Sequence, residues 1–119
     1  MNFLKIFLFI LVVFIFNNNA FAADGKKLFT KCKACHAVDA EKHKVGPHLV
    51  GIVGRKAGAA AGYTKYSKAL KESGIVWDEA NLDKWLTNPK KMYPGTKMIY
   101  PGLKKAEDRA ALIEYLKTK

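Results

Sequence analysis

The chain has 119 residues, with 21 lysines and arginines against 10 aspartates and glutamates, giving a formal charge of +11. That length suits one domain and excludes a large two-domain enzyme. Two tryptophans, five tyrosines and spaced aliphatic residues can feed a core, which excludes a disordered chain.

The hydrophobic share is concentrated at the start, where six of the seven phenylalanines fall within residues 1–22. Lys5 supplies a basic beginning, Ile6 to Phe16 is an unbroken apolar run, and Ala20-Phe21-Ala22 is a small-x-small site. These three regions in order predict a cleavable secretory signal over 1–22. The run is shorter than the ~20 apolar residues that span a bilayer as a helix. An uncleaved anchor is the competing reading. Residues 23–119 then form the domain. A chain of that size buries only roughly 60–65% of its unfolded surface, so a covalent staple, metal or cofactor would matter to its stability.

In chain order, Asp24 predicts the cap of a short first helix with Leu28, Phe29 and Cys32 on one face. Cys32-Lys33-Ala34-Cys35-His36 follows, the C-x-x-C-H attachment signature of a c-type haem. Its spacing suits the chemistry: two thiols reach two vinyl groups, and the adjacent imidazole comes up under the iron. A thiol redox pair or half a zinc site uses C-x-x-C too. The redox alternative expects a preceding strand, whereas a helix pattern precedes. Zinc needs further ligands, and His43 and His48 lie in apparent loop.

Residues 37–66 carry five glycines and Pro47 with no strand pattern. So long an irregular stretch needs something to pack on, which a haem would supply. Ser67 predicts the cap of a short helix through Ser73, closed by Gly74. Asp78 caps a clearer helix with Leu82, Trp85 and Leu86 on one face, ended by Asn88-Pro89. A loop is expected over 90–98. The last helix is expected over 106–117, with Leu112, Ile113 and Leu116 apolar and Tyr115 at the edge. The class is all-α. An axial thioether could come from Met92 or Met98, and composition does not choose between them.

The chain resembles the class I cytochrome c family along nearly all of 23–119. The resemblance rests on Cys32 to His36, Gly46-Pro47-His48-Leu49, Gly54-Arg55-Lys56, Gly74-Ile75-Val76-Trp77, Asn88-Pro89-Lys90-Lys91 and Pro94-Gly95-Thr96-Lys97-Met98. It implies a compact fold wrapped around one haem c attached through Cys32 and Cys35, with His36 and Met98 as iron ligands and Met92 as packing. It also implies a Pro47 carbonyl accepting from His36. Arg55, Tyr66, Trp77 and Thr96 would stand near the propionates and Trp85 against the haem. Asn88 would steady the methionine loop, and Tyr100 would lie at the exposed edge. Gly25, Phe29, Leu112 and Tyr115 would form the crossing of the first and last helices. The 62–77 segment is one residue longer than the common mitochondrial pattern, with Leu70 near the position of a usual asparagine. Pro101 stands where a small residue is usual.

The implied function is a soluble, monomeric one-electron carrier in the periplasm. It would pass electrons from a bc1-type quinol oxidoreductase to a terminal cytochrome oxidase of a respiratory chain. Lys27, Lys31, Lys33, Lys90, Lys91, Lys97, Lys104 and Lys105 would gather around the haem edge and meet acidic docking surfaces. Membrane contact would be peripheral, and no nucleic-acid motif is present. The alternatives are a ligand-binding or peroxidase-like haem enzyme, and the same carrier tethered by an uncleaved 1–22 segment.

Overall fold

The computed structural model describes residues 23–119, so the expected signal segment 1–22 lies outside the described residues. Helix α1 spans Gly25–Leu28 and continues as one 3-10 turn, Phe29–Lys31. Asp24 caps it, its Oδ1 accepting from the Lys26 and Lys27 N–H groups at 3.0 and 3.4 Å. Helix α5, Ala106–Lys117, crosses it. Gly25 makes the crossing possible, because a Cβ there would overlap the Ala111 carbonyl and sit 2.7 Å from Tyr115 Cβ. Phe29 and Leu112, each 1% exposed, close the crossing. The Phe29 and Tyr115 rings meet at 5.7 Å. Gly25→Ala is therefore expected to cost about 1–3 kcal/mol by overpacking, read as a lower Tm of the holoprotein with an unchanged visible spectrum.

Three short helices connect these two. Helix α2, Lys68–Glu72, is capped by Ser67, whose Oγ accepts from Leu70 N–H at 3.2 Å. Gly74 beyond it takes φ +68°. Helix α3, Glu79–Thr87, is capped by Asp78, whose Oδ1 accepts from Asn81 N–H at 2.8 Å. It buries Leu82, Trp85 and Leu86 as its spacing predicts.

The sequence expectation fails over the next residues. Pro89–Met92 form helix α4 where a loop is expected. Asn88 is extended, with φ −167° and ψ 99°, and its side chain accepts from Lys91 N–H at 3.1 Å. Proline thus ends one helix and begins the next, since at the first helical position its missing N–H costs nothing.

The long stretch 37–66 contains no helix, and the described residues show no strand beyond an isolated bridge between Lys56 and Val76. Its order comes from backbone stitches: Leu49 N–H to Ala37 O at 2.8 Å, Gly54 N–H to Trp77 O at 2.8 Å, and Ala57 N–H to Ile75 O at 2.9 Å. Arg109 on α5 ties the remaining pieces. Its Nε meets Asp83 Oδ1 on α3 at 2.6 Å, and its Nη1 donates to the Leu103 and Lys104 carbonyls.

Candidate haem site

The residues flanking the cysteines are folded onto each other. His36 N–H donates to Cys32 O at 2.9 Å, and Gly46 N–H donates to Cys35 O at 2.8 Å. This second bond lays Gly46-Pro47 along the motif. The Pro47 carbonyl then accepts from His36 Nδ1 at 2.7 Å, which leaves Nε2 with its lone pair. Gly46 fits flat beneath the imidazole: a Cβ there would overlap the ring, 2.7 Å from Nδ1 and 3.0 Å from Nε2. Burial holds the His36 imidazole below its ordinary pKa, the Pro47 bond works against that, and nearby Arg55 adds to it. The net result is a neutral ring, the form a metal takes. Burial likewise pushes the Cys32 thiol up, with Cys35 adding to the shift.

Cys32, Cys35, His36 and Met98 all line one cleft of about 400 Å³. Its walls are largely apolar, from Phe29, Ile52, Leu70, Leu82, Leu86 and Leu112 among others. Met98 is half-buried, and its N–H donates to Thr96 Oγ1 at 3.3 Å. Met92 is absent from the cleft wall and packs on the core at the end of α4. Side-chain placement thus separates two methionines that composition leaves equivalent.

Pro47, Arg55, Tyr66, Trp77, Trp85 and Thr96 all reach the same cleft. Arg55 donates through Nη2 to His48 O at 2.9 Å and through Nη1 to Val50 O at 3.4 Å. Tyr66 Oη accepts from Ala60 N–H at 3.1 Å, which leaves its own O–H as a donor. Trp77 and Trp85 are buried. Leu70 brings an apolar side chain to the wall. Asn88 caps α4, which fixes the start of the segment leading to Met98. At the mouth stand Tyr100, Lys31, Lys97 and two exposed aliphatic residues, Val45 and Ile99, the latter fully exposed. A second cavity between α3 and α5 is lined by Glu79, Asp83 and Glu114 with Ala80, Ala110 and Ile113, and it offers no thiol, imidazole or thioether.

The donor set fits an iron porphyrin. Two thiols, an imidazole kept neutral by burial and oriented by a carbonyl acceptor, and a thioether share an apolar cleft. Among the described residues no group of three or more His, Cys, Asp and Glu side chains is placed to hold a bare metal ion.

The chain belongs to the class I cytochrome c family. The family profile for cytochrome c matches residues 22–119. The chain is similar to cytochrome c2 iso-2 of Magnetospirillum molischianum, 52% identical over 96 residues that cover 81% of this chain and 98% of that one. It is also similar to the cytochrome c of Gossypium barbadense, 54% identical over 98 residues, covering 81% and 87%. The structure of cytochrome cH from Methylobacterium extorquens superposes with a TM-score of 0.76 at 52% identity, covering 82% of this chain and 98% of that chain. The compact all-α cytochrome c fold is therefore established. So is the family role, one-electron carriage on haem rather than enzymatic turnover.

Two histidines that sequence reading leaves in loop also have defined work in this cytochrome. His43 Nδ1 accepts from His48 N–H at 3.1 Å, so its Nε2 carries the proton and donates to Ala61 O at 2.7 Å. His48 Nδ1 accepts from Val50 N–H at 3.2 Å, and the two rings stack at 5.1 Å. Burial pulls the His48 pKa down, Arg55 and His43 add to this, and Glu41 opposes it. As pH falls below about 6.5, the ordinary imidazole value, the unfolded chain takes the proton first. Stability is therefore present above that pH and declines below it, levelling once the folded ring also protonates. Thermal melts across this range should show the decline, and His48→Asn should make it shallower by removing the His48 share.

Proposed function

We propose that the cleft holds one haem c, joined by thioethers to Cys32 and Cys35, with His36 and Met98 as axial ligands. The bound haem supplies a reversible one-electron iron couple. What carries this reading is that two thiols, an imidazole and a thioether line a single apolar cleft. Pro47 fixes the His36 tautomer and raises the basicity of Nε2. Thr96 holds the backbone at Met98. Phe29, Leu82 and Leu86 exclude water. Arg55, Tyr66 and the indoles of Trp77 and Trp85 offer hydrogen-bond donors for the buried carboxylates such a group brings.

On this reading residues 1–22 direct export and are removed, and the carrier works as a monomer in the periplasm. A bc1-type quinol oxidoreductase donates and a terminal cytochrome oxidase accepts. Lys31 and Lys97 flank the mouth, so acidic docking surfaces would be steered to it, with only peripheral membrane contact. Bimolecular oxidation by an acidic oxidase should slow steeply as salt rises past the ~10 Å screening length of 0.1 M ionic strength.

The deciding experiment is the visible spectrum of protein expressed in a periplasm with working haem attachment. Expected are a sharp reduced α band, haem that stays with the chain under acidified acetone, and a weak far-red oxidised band from iron–methionine ligation. A c-type reduced spectrum without the far-red band would remove Met98 from the assignment. Haem that extracts freely would remove the thioethers.

A further inference from the structure

We propose that Lys65 covers the more exposed of the two carboxylates that a bound haem brings, and that this pair holds the reduction potential up. This rests on the haem reading above. Lys31, Arg55, Lys65 and Lys97 line the cleft, and no aspartate or glutamate does. Lys31 and Lys97 stand one residue before Cys32 and Met98, so the chain ties them to the edge that holds a thiol and the thioether. Arg55 and Lys65 belong to a different, polar part of the wall. Trp77 N–H donates to the Arg55 carbonyl at 2.8 Å, and Tyr66 and Ser67 follow Lys65 directly and line the same cleft. Much of the remaining wall is apolar. Carboxylates entering this cleft therefore go to the polar part, because desolvation without partners is costly.

The buried donors suit one carboxylate. Ser67 and Trp77 are 7% and 6% exposed. Ser67 Oγ accepts from Leu70 N–H at 3.2 Å and keeps its own hydrogen to give. Tyr66 does the same beneath Ala60 N–H. Arg55 is half-buried and has spent part of its fork on the His48 and Val50 carbonyls. These groups are fixed and shielded. A second carboxylate, reaching toward water, needs a long and exposed cation. Lys65 is exposed and enters none of the ion pairs found among the described residues. Its backbone is pinned on both sides. Tyr63 O–H donates to the Val45 carbonyl at 2.7 Å, Tyr66 is held at Ala60, and the two rings meet edge to face at 4.7 Å. The Lys65 ammonium thus swings on its own flexible stem from a fixed base.

The consequence is electrostatic. An uncovered carboxylate at the mouth favours the more positive ferric iron. An ammonium paired with it cancels part of that field and favours the ferrous form. Because Lys65 is exposed, dissolved ions weaken the effect, and it is largest at low ionic strength. No bond is made or broken; only the position of the one-electron equilibrium moves.

The test compares the holoprotein with Lys65→Gln, Lys65→Arg and Lys68→Gln. It reads the midpoint potential by voltammetry at low and high salt, and the propionate bending band by resonance Raman. Lys68 is the control, exposed at the start of α2 and absent from the cleft wall. Lys65→Gln should lower the potential and shift the band, and Lys65→Arg should restore both. Lys68→Gln should leave the band in place and move the potential less. The gap between Lys65→Gln and the parent should shrink as salt rises. An unmoved band in Lys65→Gln, or an equal potential shift in Lys68→Gln, would overturn the pair. So would a Lys65→Gln variant that alters only the salt dependence of oxidation by an acidic partner, which would make Lys65 a docking lysine. Each of these leaves the haem reading intact. A preparation without a c-type spectrum would overturn both.

Discussion

Replacing Met98 with Ala should abolish the far-red oxidised band, lower the reduction potential and let cyanide bind rapidly, while Met92→Ala should leave all three unchanged. Met98 lines the cleft and Met92 does not. Thioether ligation raises a haem potential relative to harder replacements such as water or a second imidazole. Removing it opens a coordination position that small anions can enter. Met92 packs partly buried against the core. Its truncation removes apolar contact and should cost about 1–2 kcal/mol, at or below the 2–5 kcal/mol of a fully buried Met→Ala change. For a domain of this size that lowers Tm by very roughly 4–16 °C. Voltammetry, the oxidised spectrum and a thermal melt separate the two variants. If Met92→Ala loses the band and Met98→Ala keeps it, the axial assignment is reversed. Equal loss from both would mean that the segment carrying Met98 depends on α4 for its path.

The fold was legible where local chemistry repeats along the chain. Helix α5 has the bounds its apolar spacing predicts, and Asp24, Ser67 and Asp78 each cap the helix expected of them. Helix α4 was not legible because Pro89 reads as a stop. Its ring keeps Asn88 extended, which ends α3, while its own fixed φ suits the first position of a new helix. The cysteine motif points to the proposed cofactor class because five adjacent residues carry the chemistry. The supports of that motif are non-local. Gly46 reads as one more loop glycine, and its contact with the His36 ring exists only once 37–46 has doubled back. The His43 bond to Ala61 spans eighteen positions, and the Lys119 pair with Asp39 spans eighty. No period or cap pattern encodes contacts of that kind. The choice between Met92 and Met98 is similar in nature: the residues are identical and both touch the core, and only the folded path of the chain puts Met98 on the cleft wall and leaves Met92 off it.

Gly46→Ala is expected to damage the site more than its single methyl suggests. The new Cβ would occupy the space of the His36 ring. Either the imidazole tilts or the 45–48 backbone retreats. A retreat loosens two bonds together, Gly46 N–H to Cys35 O at 2.8 Å and the Pro47 carbonyl to His36 Nδ1 at 2.7 Å. Overpacking of about 1–3 kcal/mol and a weakened hydrogen bond of about 1 kcal/mol combine to about 2–4 kcal/mol, a Tm loss of very roughly 8–32 °C. Gly51→Ala is the control. Its φ is +66°, but a Cβ there meets nothing within 4 Å, so its cost is the left-handed backbone alone, about 1–2 kcal/mol. The two glycines also differ in what they do to the iron. A weaker Pro47 acceptor makes His36 a poorer electron donor, which destabilises ferric iron and raises the potential in Gly46→Ala only. Voltammetry and melts on both variants test the pair. Equal Tm losses with unshifted potentials would mean that Gly46 serves the backbone turn and not the imidazole above it.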